Sequence, residues 1–206
     1  MANDDRRIEG LPDEELLRLH LNGEARAFEV LLHRRAGELY RFLFRFLGDR
    51  ALADDVLQEA FLQVHLSAGR FDPARRFKPW LFTIAANKAR DAMRSHNRKR
   101  TAQLNAQIAE SDEESVSYID LLEANVDLPI EELQNQELRQ TVQQVVMEMP
   151  EHLREVLLLG YFQQMPYKDI AEALGVPLGT VKSRLHAAVS HFARRWESIG
   201  KRFEHD

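Results

Sequence analysis

Apolar residues recur every three or four positions along much of this chain, and this spacing constrains the fold more than any other feature. The clearest case is the segment 24–47, which carries Phe28, Leu31, Leu32, Leu39, Phe42, Leu43 and Phe46. Such spacing places apolar side chains on one face of an α-helix. Runs that alternate apolar and polar residues, as half-buried strands do, do not occur in the sequence. The pattern therefore predicts an all-α fold.

Gly and Pro residues divide the helical pattern into two groups of helices. The first group is predicted over 12–22, 24–47, 50–68 and 77–100, and the second over 129–149, 150–163, 166–174 and 177–199. Residues 101–129 are rich in Glu, Asp, Ser, Asn and Gln, and carry too few apolar residues for a core. We therefore predict two small helical domains, 13–100 and 130–199, joined by a flexible acidic linker. Short tails at 1–12 and 200–206 complete the prediction.

The charges are distributed unevenly. The formal net charge of −5 argues against a nucleic-acid partner only if it is spread along the chain. Residues 101–138 carry ten Asp and Glu and no Lys or Arg, whereas residues 70–100 carry ten Lys and Arg against two Asp. Residues 182–202 carry six Lys and Arg against one Glu. Two basic patches thus flank one acidic segment, which either solubilises a tether or competes with DNA for those patches.

Composition excludes several classes of protein. The chain has no Cys, which rules out disulfides, Cys-ligated zinc and a thiol nucleophile. No apolar run approaches the ~20 residues of a membrane span, and the N-terminus is too polar for a signal peptide. The eight His show no metal-binding spacing, and no nucleophile elbow occurs. We therefore expect a cytoplasmic protein without a cofactor, catalytic group or membrane segment.

The run YKDIAEALGVPLGTVKSRL at 167–185 has the spacing of a helix-turn-helix. Gly175 suits a turn residue with positive φ, and the shared core is predicted to contain Ile170, Leu174, Val176, Val181 and Leu185. The second helix then presents Thr180, Lys182, Ser183 and His186 outward. These side chains suit phosphates and base edges of duplex DNA.

Two helices of the first domain carry polar faces opposite their apolar sides. The helix over 50–68 presents Asp55, Gln58, Glu59, Leu62 and Gln63, a face that suits a partner helix or coil bearing Arg. A solvated face without a partner is the open alternative. The helix over 77–100 presents Thr83, Asn87, Arg90, Arg94 and Asn97. Aromatic and basic residues alternate just before and within its first turns, as on surfaces that hold single-stranded nucleic acid. Core packing is the open alternative for Phe77, Trp80 and Phe82.

Four motifs in this order resemble those of bacterial sigma factors of the extracytoplasmic-function group. They are DDVLQEAF at 54–61, WLFTIAANKARD at 80–91, MPEHLREVLLL at 149–159 and GTVKSRL at 179–185. The resemblance covers residues 13–100 and 130–196. It implies a monomer that binds core RNA polymerase and directs it to promoter DNA, and such factors are commonly held by an anti-sigma factor.

The resemblance also implies roles for individual residues. Contacts with core polymerase map to Asp55, Gln58, Glu59 and Leu62. Contacts with the −10 element map to Arg75, Phe77, Trp80, Phe82, Thr83, Asn87, Lys88, Arg90 and Arg94. Contacts with the −35 element map to Thr180, Lys182, Ser183, Arg184 and His186. The alternative is a polymerase-independent helix-turn-helix regulator, which predicts a stable dimer and a palindromic site.

Overall fold

The computed structural model describes residues 8–104 and 136–203, all of whose regular structure is helical. Residues 105–135, which include most of the linker predicted at 101–129, and the outer parts of both tails lie outside these residues. The helices are α1 (Asp13–Leu21), α2 (Ala25–Leu47), α3 (Arg50–Ser67), α4 (Phe77–Leu104), α5 (Gln136–Met147), α6 (Glu151–Leu157), α7 (Tyr167–Leu174) and α8 (Leu178–Phe203). The all-α prediction is confirmed within the described residues.

Helix α2 lies at the centre of the first group and packs against α1, α3 and α4. Its apolar face is buried as the spacing predicts, and Phe42 meets the ring of Phe82 edge-on, with ring centroids 5.3 Å apart. Gly48 ends α2 in the left-handed conformation, with φ at +76°. Asp49 then begins α3, because its carboxylate accepts a hydrogen bond from the Leu52 backbone N–H at 2.8 Å.

The second group contains the predicted helix-turn-helix, formed by α7 and the start of α8. Gly175 occupies the turn with φ at +65°, and the Val176 N–H donates to the Ala171 carbonyl at 3.1 Å. Ile170 and Val181 are fully buried between the two helices. The helix predicted over 150–163 is shorter than expected, because its last turn, Leu158–Phe162, is a π-helix that redirects the chain toward α7.

Arg154 of α6 joins the two groups of helices. One guanidinium nitrogen donates to the Phe46 carbonyl at 2.7 Å, and the other donates to the Met147 and Met149 carbonyls at 2.6 and 3.0 Å. A Cβ on Gly48 would lie 2.6 Å from Cε of Met147, so glycine also permits this close approach. The guanidinium thus satisfies carbonyls at the ends of α2 and α5 that no helix turn satisfies.

We expect Arg154→Ala to lower the free energy of unfolding by about 3 kcal/mol, because it leaves buried carbonyls without a donor. Urea unfolding of the full chain, followed by circular dichroism, measures the change. Arg194→Ala is the matched control, since Arg194 is an exposed arginine of α8. Equal midpoints for the two variants would contradict this role of Arg154.

Candidate nucleic-acid interface

The polar stripe of α4 lies at the surface, as its spacing predicts. Asn87 and Arg94 are exposed, and Thr83, Lys88 and Arg90 are partly buried along the same helix. The Thr83 hydroxyl donates to the Pro79 carbonyl at 2.8 Å, while the Asn87 amide oxygen accepts a hydrogen bond from Arg90. These contacts orient amide, hydroxyl and cationic groups along one side of α4. Such groups suit the phosphates and base edges of an unpaired strand.

The aromatic residues at the start of α4 divide into two kinds. Phe77 and Phe82 are 0% exposed, because both rings pack into the core of the first group of helices. This corrects the prediction that they contact DNA. Trp80 is partly exposed, and its ring lies 5.0 Å from that of Phe71 and 5.8 Å from that of Phe77. Trp80 is therefore the aromatic residue of this set that remains available to stack on a base.

Two carboxylates of α7 form ion pairs with arginines of the loop before α4. A guanidinium nitrogen of Arg75 lies 2.8 Å from Oε1 of Glu172, and Arg76 lies 3.5 Å from Oδ2 of Asp169. Both arginines are otherwise exposed. The helix-turn-helix thus supplies the negative charge that a DNA phosphate would supply to the same side chains.

Two further cations of α4 face groups from the second group of helices. Lys78 donates to the Gln163 carbonyl at 3.0 Å, and Arg90 lies 3.4 Å from Oε1 of Glu155. Glu155 is 2% exposed. The pKa of Glu155 is raised to about 7, chiefly by burial and to a lesser extent by neighbouring Glu151, although Arg90 and Arg184 oppose the increase. Burial in the folded chain therefore favours a protonated Glu155, whereas Arg90 favours the ionised form.

The outer face of α8 remains open. Lys182, Ser183 and His186 are exposed, and Thr180 and Arg184 are partly buried at its edge. The Ser183 hydroxyl donates to the Thr180 carbonyl at 3.1 Å, which fixes the first turn of the helix. An exposed second helix with cationic and hydroxyl side chains is what major-groove binding requires.

The polar face of α3 is exposed over Asp55, Gln58, Glu59 and Leu62. Leu66 extends this face by one turn and is 69% exposed, more than Leu62 at 58%. Sequence reasoning missed Leu66, although its spacing of four from Leu62 carries the signal. Lys88 of α4 lies 3.3 Å from Oε2 of Glu59, so one ion pair links this face to the stripe of α4.

The described residues contain no group of three or more His, Asp or Glu side chains that could hold a metal ion. Among the same residues, no helix is long and apolar enough to cross a membrane. The polar faces of α3, α4 and α8 carry side chains suited to binding a macromolecule, protein for α3 and nucleic acid for α4 and α8.

Two solved structures share this fold. CnrH, in complex with the cytosolic domain of CnrY, superposes with a TM-score of 0.65 at 24% identity, over 90% of this chain and 97% of CnrH. RpoE from Bartonella quintana, in complex with the anti-sigma factor NepR, gives a TM-score of 0.60 at 22% identity, over 82% of this chain and 94% of that protein.

The sequence matches known families over both groups of helices. Residues 31–99 match the sigma-70 region 2 family, and residues 139–192 match the sigma-70 region 4 family. The extracytoplasmic-function sigma factor SigW of Bacillus subtilis is 32% identical over 80% of this chain and 86% of its own length. The sigma-H factor of Pseudomonas aeruginosa is 31% identical over 85% of this chain and 89% of its own length. The chain therefore belongs to the extracytoplasmic-function group of the sigma-70 family.

Proposed function

We propose that this protein binds core RNA polymerase and directs transcription initiation at specific promoters. The observation that carries the proposal is the presence of two separate DNA-type surfaces on one chain, the polar stripe of α4 and the outer face of α8. The family matches over both groups of helices support it. A polymerase-independent regulator has less support, since family membership and the exposed face of α3 both favour polymerase binding.

We assign the two DNA elements to the two domains, 13–100 and 130–199. Arg75, Trp80, Thr83, Asn87, Lys88, Arg90 and Arg94 contact the −10 element as a single strand, where an aromatic ring and amide groups can hold a flipped base. Thr180, Lys182, Ser183, Arg184 and His186 contact the −35 element as a duplex. Asp55, Gln58, Glu59 and Leu62 contact the polymerase.

Linkage of the two domains explains how weak individual contacts give specific binding. Each DNA surface alone offers few side chains, but once both sit on the polymerase the second contact becomes intramolecular and gains a high effective concentration. Capture of unpaired bases offsets part of the cost of melting the duplex. In this proposal the chain supplies no catalytic group and acts in the cytoplasm, where an anti-sigma factor is a further expected partner.

The packed arrangement makes domain separation part of the proposed cycle. Arg75 and Arg90 contact the second group of helices, so a −10 strand and the helix-turn-helix domain compete for them. The outer face of α8 stays exposed in the same arrangement. The free protein therefore presents its −35 surface while two cations of its −10 surface, Arg75 and Arg90, are paired with carboxylates of the second group.

Promoter-specific transcription with purified core polymerase tests the proposed function directly. We expect Asn87→Ala to reduce open-complex formation about tenfold, because the amide contacts an unpaired base, and to leave affinity for core polymerase unchanged. A fluorescent promoter fragment and a labelled core polymerase measure the two quantities. Equal losses of both would show that Asn87 does not belong to a DNA surface.

The double variant Gln58→Ala, Glu59→Ala should produce the complementary result. We expect affinity for core polymerase to fall about tenfold, while binding of the full chain to duplex −35 DNA stays the same. Fluorescence anisotropy measures both.

Failure of the unaltered chain to initiate from any promoter, together with tight binding of a palindromic duplex as a dimer, would instead support the polymerase-independent regulator.

Neutral substitutions in α7 should release the cations of the −10 surface. We expect Asp169→Asn with Glu172→Gln to strengthen binding of a −10 single strand by the free protein about threefold at low salt, since each exposed ion pair is weak. Glu197→Gln is the matched control, because Glu197 is an exposed carboxylate of α8. Unchanged affinity in the double variant would contradict competition at Arg75 and Arg76.

The stability of the folded chain should depend on the protonation of Glu155. Because the pKa of Glu155 is raised to about 7 in the folded chain, the unaltered protein loses stability as pH rises from the ordinary carboxyl range through about 7. We expect the advantage of Glu155→Gln over the unaltered chain to grow by about 1–3 kcal/mol between about pH 5 and about pH 8. Urea unfolding at both pH values measures it, with Glu197→Gln as control, because Glu197 is exposed on α8 and does not contribute to the pKa of Glu155. If the difference in free energy of unfolding between Glu155→Gln and the unaltered chain does not change with pH, Glu155 does not have a raised pKa.

A further inference from the structure

A carboxylate from another helix caps the first turn of α4. Phe77 begins α4, and the first turn contains no acidic residue of its own. The Phe77 N–H is one of the four N–H groups that an α-helix leaves unpaired at its start. This N–H donates to Oε1 of Glu14 in α1 at 2.7 Å. A carboxylate 63 residues earlier in the sequence therefore caps the helix.

The carboxylate of Asp13, the residue before Glu14, is linked to the same turn by a chain of ion pairs. Asp13 is 6% exposed and accepts hydrogen bonds from Arg34 at 2.8 Å and from Arg35 at 2.6 Å. Arg35 also donates to Glu38 at 2.9 Å, and Glu38 in turn accepts a hydrogen bond from Lys78. Lys78 is the second residue of α4. Both carboxylates at the start of α1 thus act on the first turn of α4.

This turn lies between groups that the proposed function assigns to the −10 element. Arg75 precedes it in the loop, and Trp80 and Thr83 follow it on α4. Glu14, Arg75 and Arg76 line one cleft between the start of α1 and that loop. The orientation of the first turn therefore decides where the loop and the Trp80 ring are placed.

We propose that Glu14 is a positioning residue for recognition of the −10 element, fixing the start of α4 through its hydrogen bond to the Phe77 N–H. The inference rests on the proposed function of α4, but it concerns a residue outside the DNA surface itself. Without the cap, the first turn frays and the loop samples several positions. The unpaired strand then binds a less organised surface, at the entropic cost that preorganisation removes.

The experiment compares holoenzymes reconstituted from core polymerase and full-length chains carrying Glu14→Ala, Glu14→Gln or Glu15→Ala. Glu15 is the matched control, because it lies on the same helix and pairs locally with Arg18. The probes are a promoter fragment selected from genomic DNA with the unaltered holoenzyme, and the top-strand oligonucleotide that spans its −10 element. Open-complex formation, oligonucleotide affinity and core-polymerase affinity are measured for each variant, with thermal unfolding to confirm that each folds.

We expect Glu14→Ala to lower oligonucleotide affinity and open-complex formation about fivefold, the factor that corresponds to one lost helix cap. Core-polymerase affinity should stay unchanged. Glu14→Gln should retain most of the DNA affinity, since its amide oxygen accepts the same hydrogen bond, and Glu15→Ala should match the unaltered chain.

Three outcomes would overturn the inference. They are DNA affinity of Glu14→Ala equal to that of Glu15→Ala, a Glu14→Gln variant as defective as Glu14→Ala, or equal losses of DNA and core-polymerase affinity. An unaltered holoenzyme that selects no promoter fragment overturns the proposed function instead, so the two failures are distinguishable.

Discussion

The guanidinium of Arg154 is the contact on which the packed arrangement depends. It is buried at the junction and donates to carbonyls from both groups of helices, so α2 and α6 cannot separate without exposing or abandoning those acceptors. Burial lowers the pKa of Arg154, yet the side chain remains a cation because the ordinary arginine value is so high. With this junction formed, α7 faces the loop before α4 and Glu155 faces Arg90.

The cations around α4 serve two negatively charged partners. In the packed chain they meet Asp169, Glu172 and Glu155, and in the proposed initiation complex they meet a DNA strand. In the outer ion pairs Arg75, Arg76 and Glu172 are exposed and Asp169 is partly buried, so each pair contributes little stability, whereas Arg90 meets a buried Glu155. Exchange of partners at the loop therefore costs little free energy, whereas separation at Arg154 leaves buried carbonyls without their donor.

Periodicity in the sequence predicts the helices and the helix-turn-helix well, because both depend on local spacing and on turn residues such as Gly175. It does not separate Phe77 from Trp80, since both are aromatic residues beside cations and only packing shows which ring is buried. The π-helical turn and the cap from Glu14 also escape prediction, because each depends on groups that only the fold brings together. The predicted charge segregation is real, but the carboxylates found against Arg75, Arg76 and Arg90 belong to α6 and α7. The predicted linker lies outside the described residues from position 105 onward.

The double use of Arg75 and Arg90 that we propose, in domain packing and in −10 recognition, also constrains how this protein can change during evolution. A substitution that alters the preferred −10 sequence at either position alters the packing of the two domains at the same time. New promoter preference then requires a second change at Glu172 or Glu155 if the balance between packed and separated forms is to be kept. Epistasis is therefore expected between residues far apart in the chain, and drift at one side of each ion pair is restricted by its counterpart.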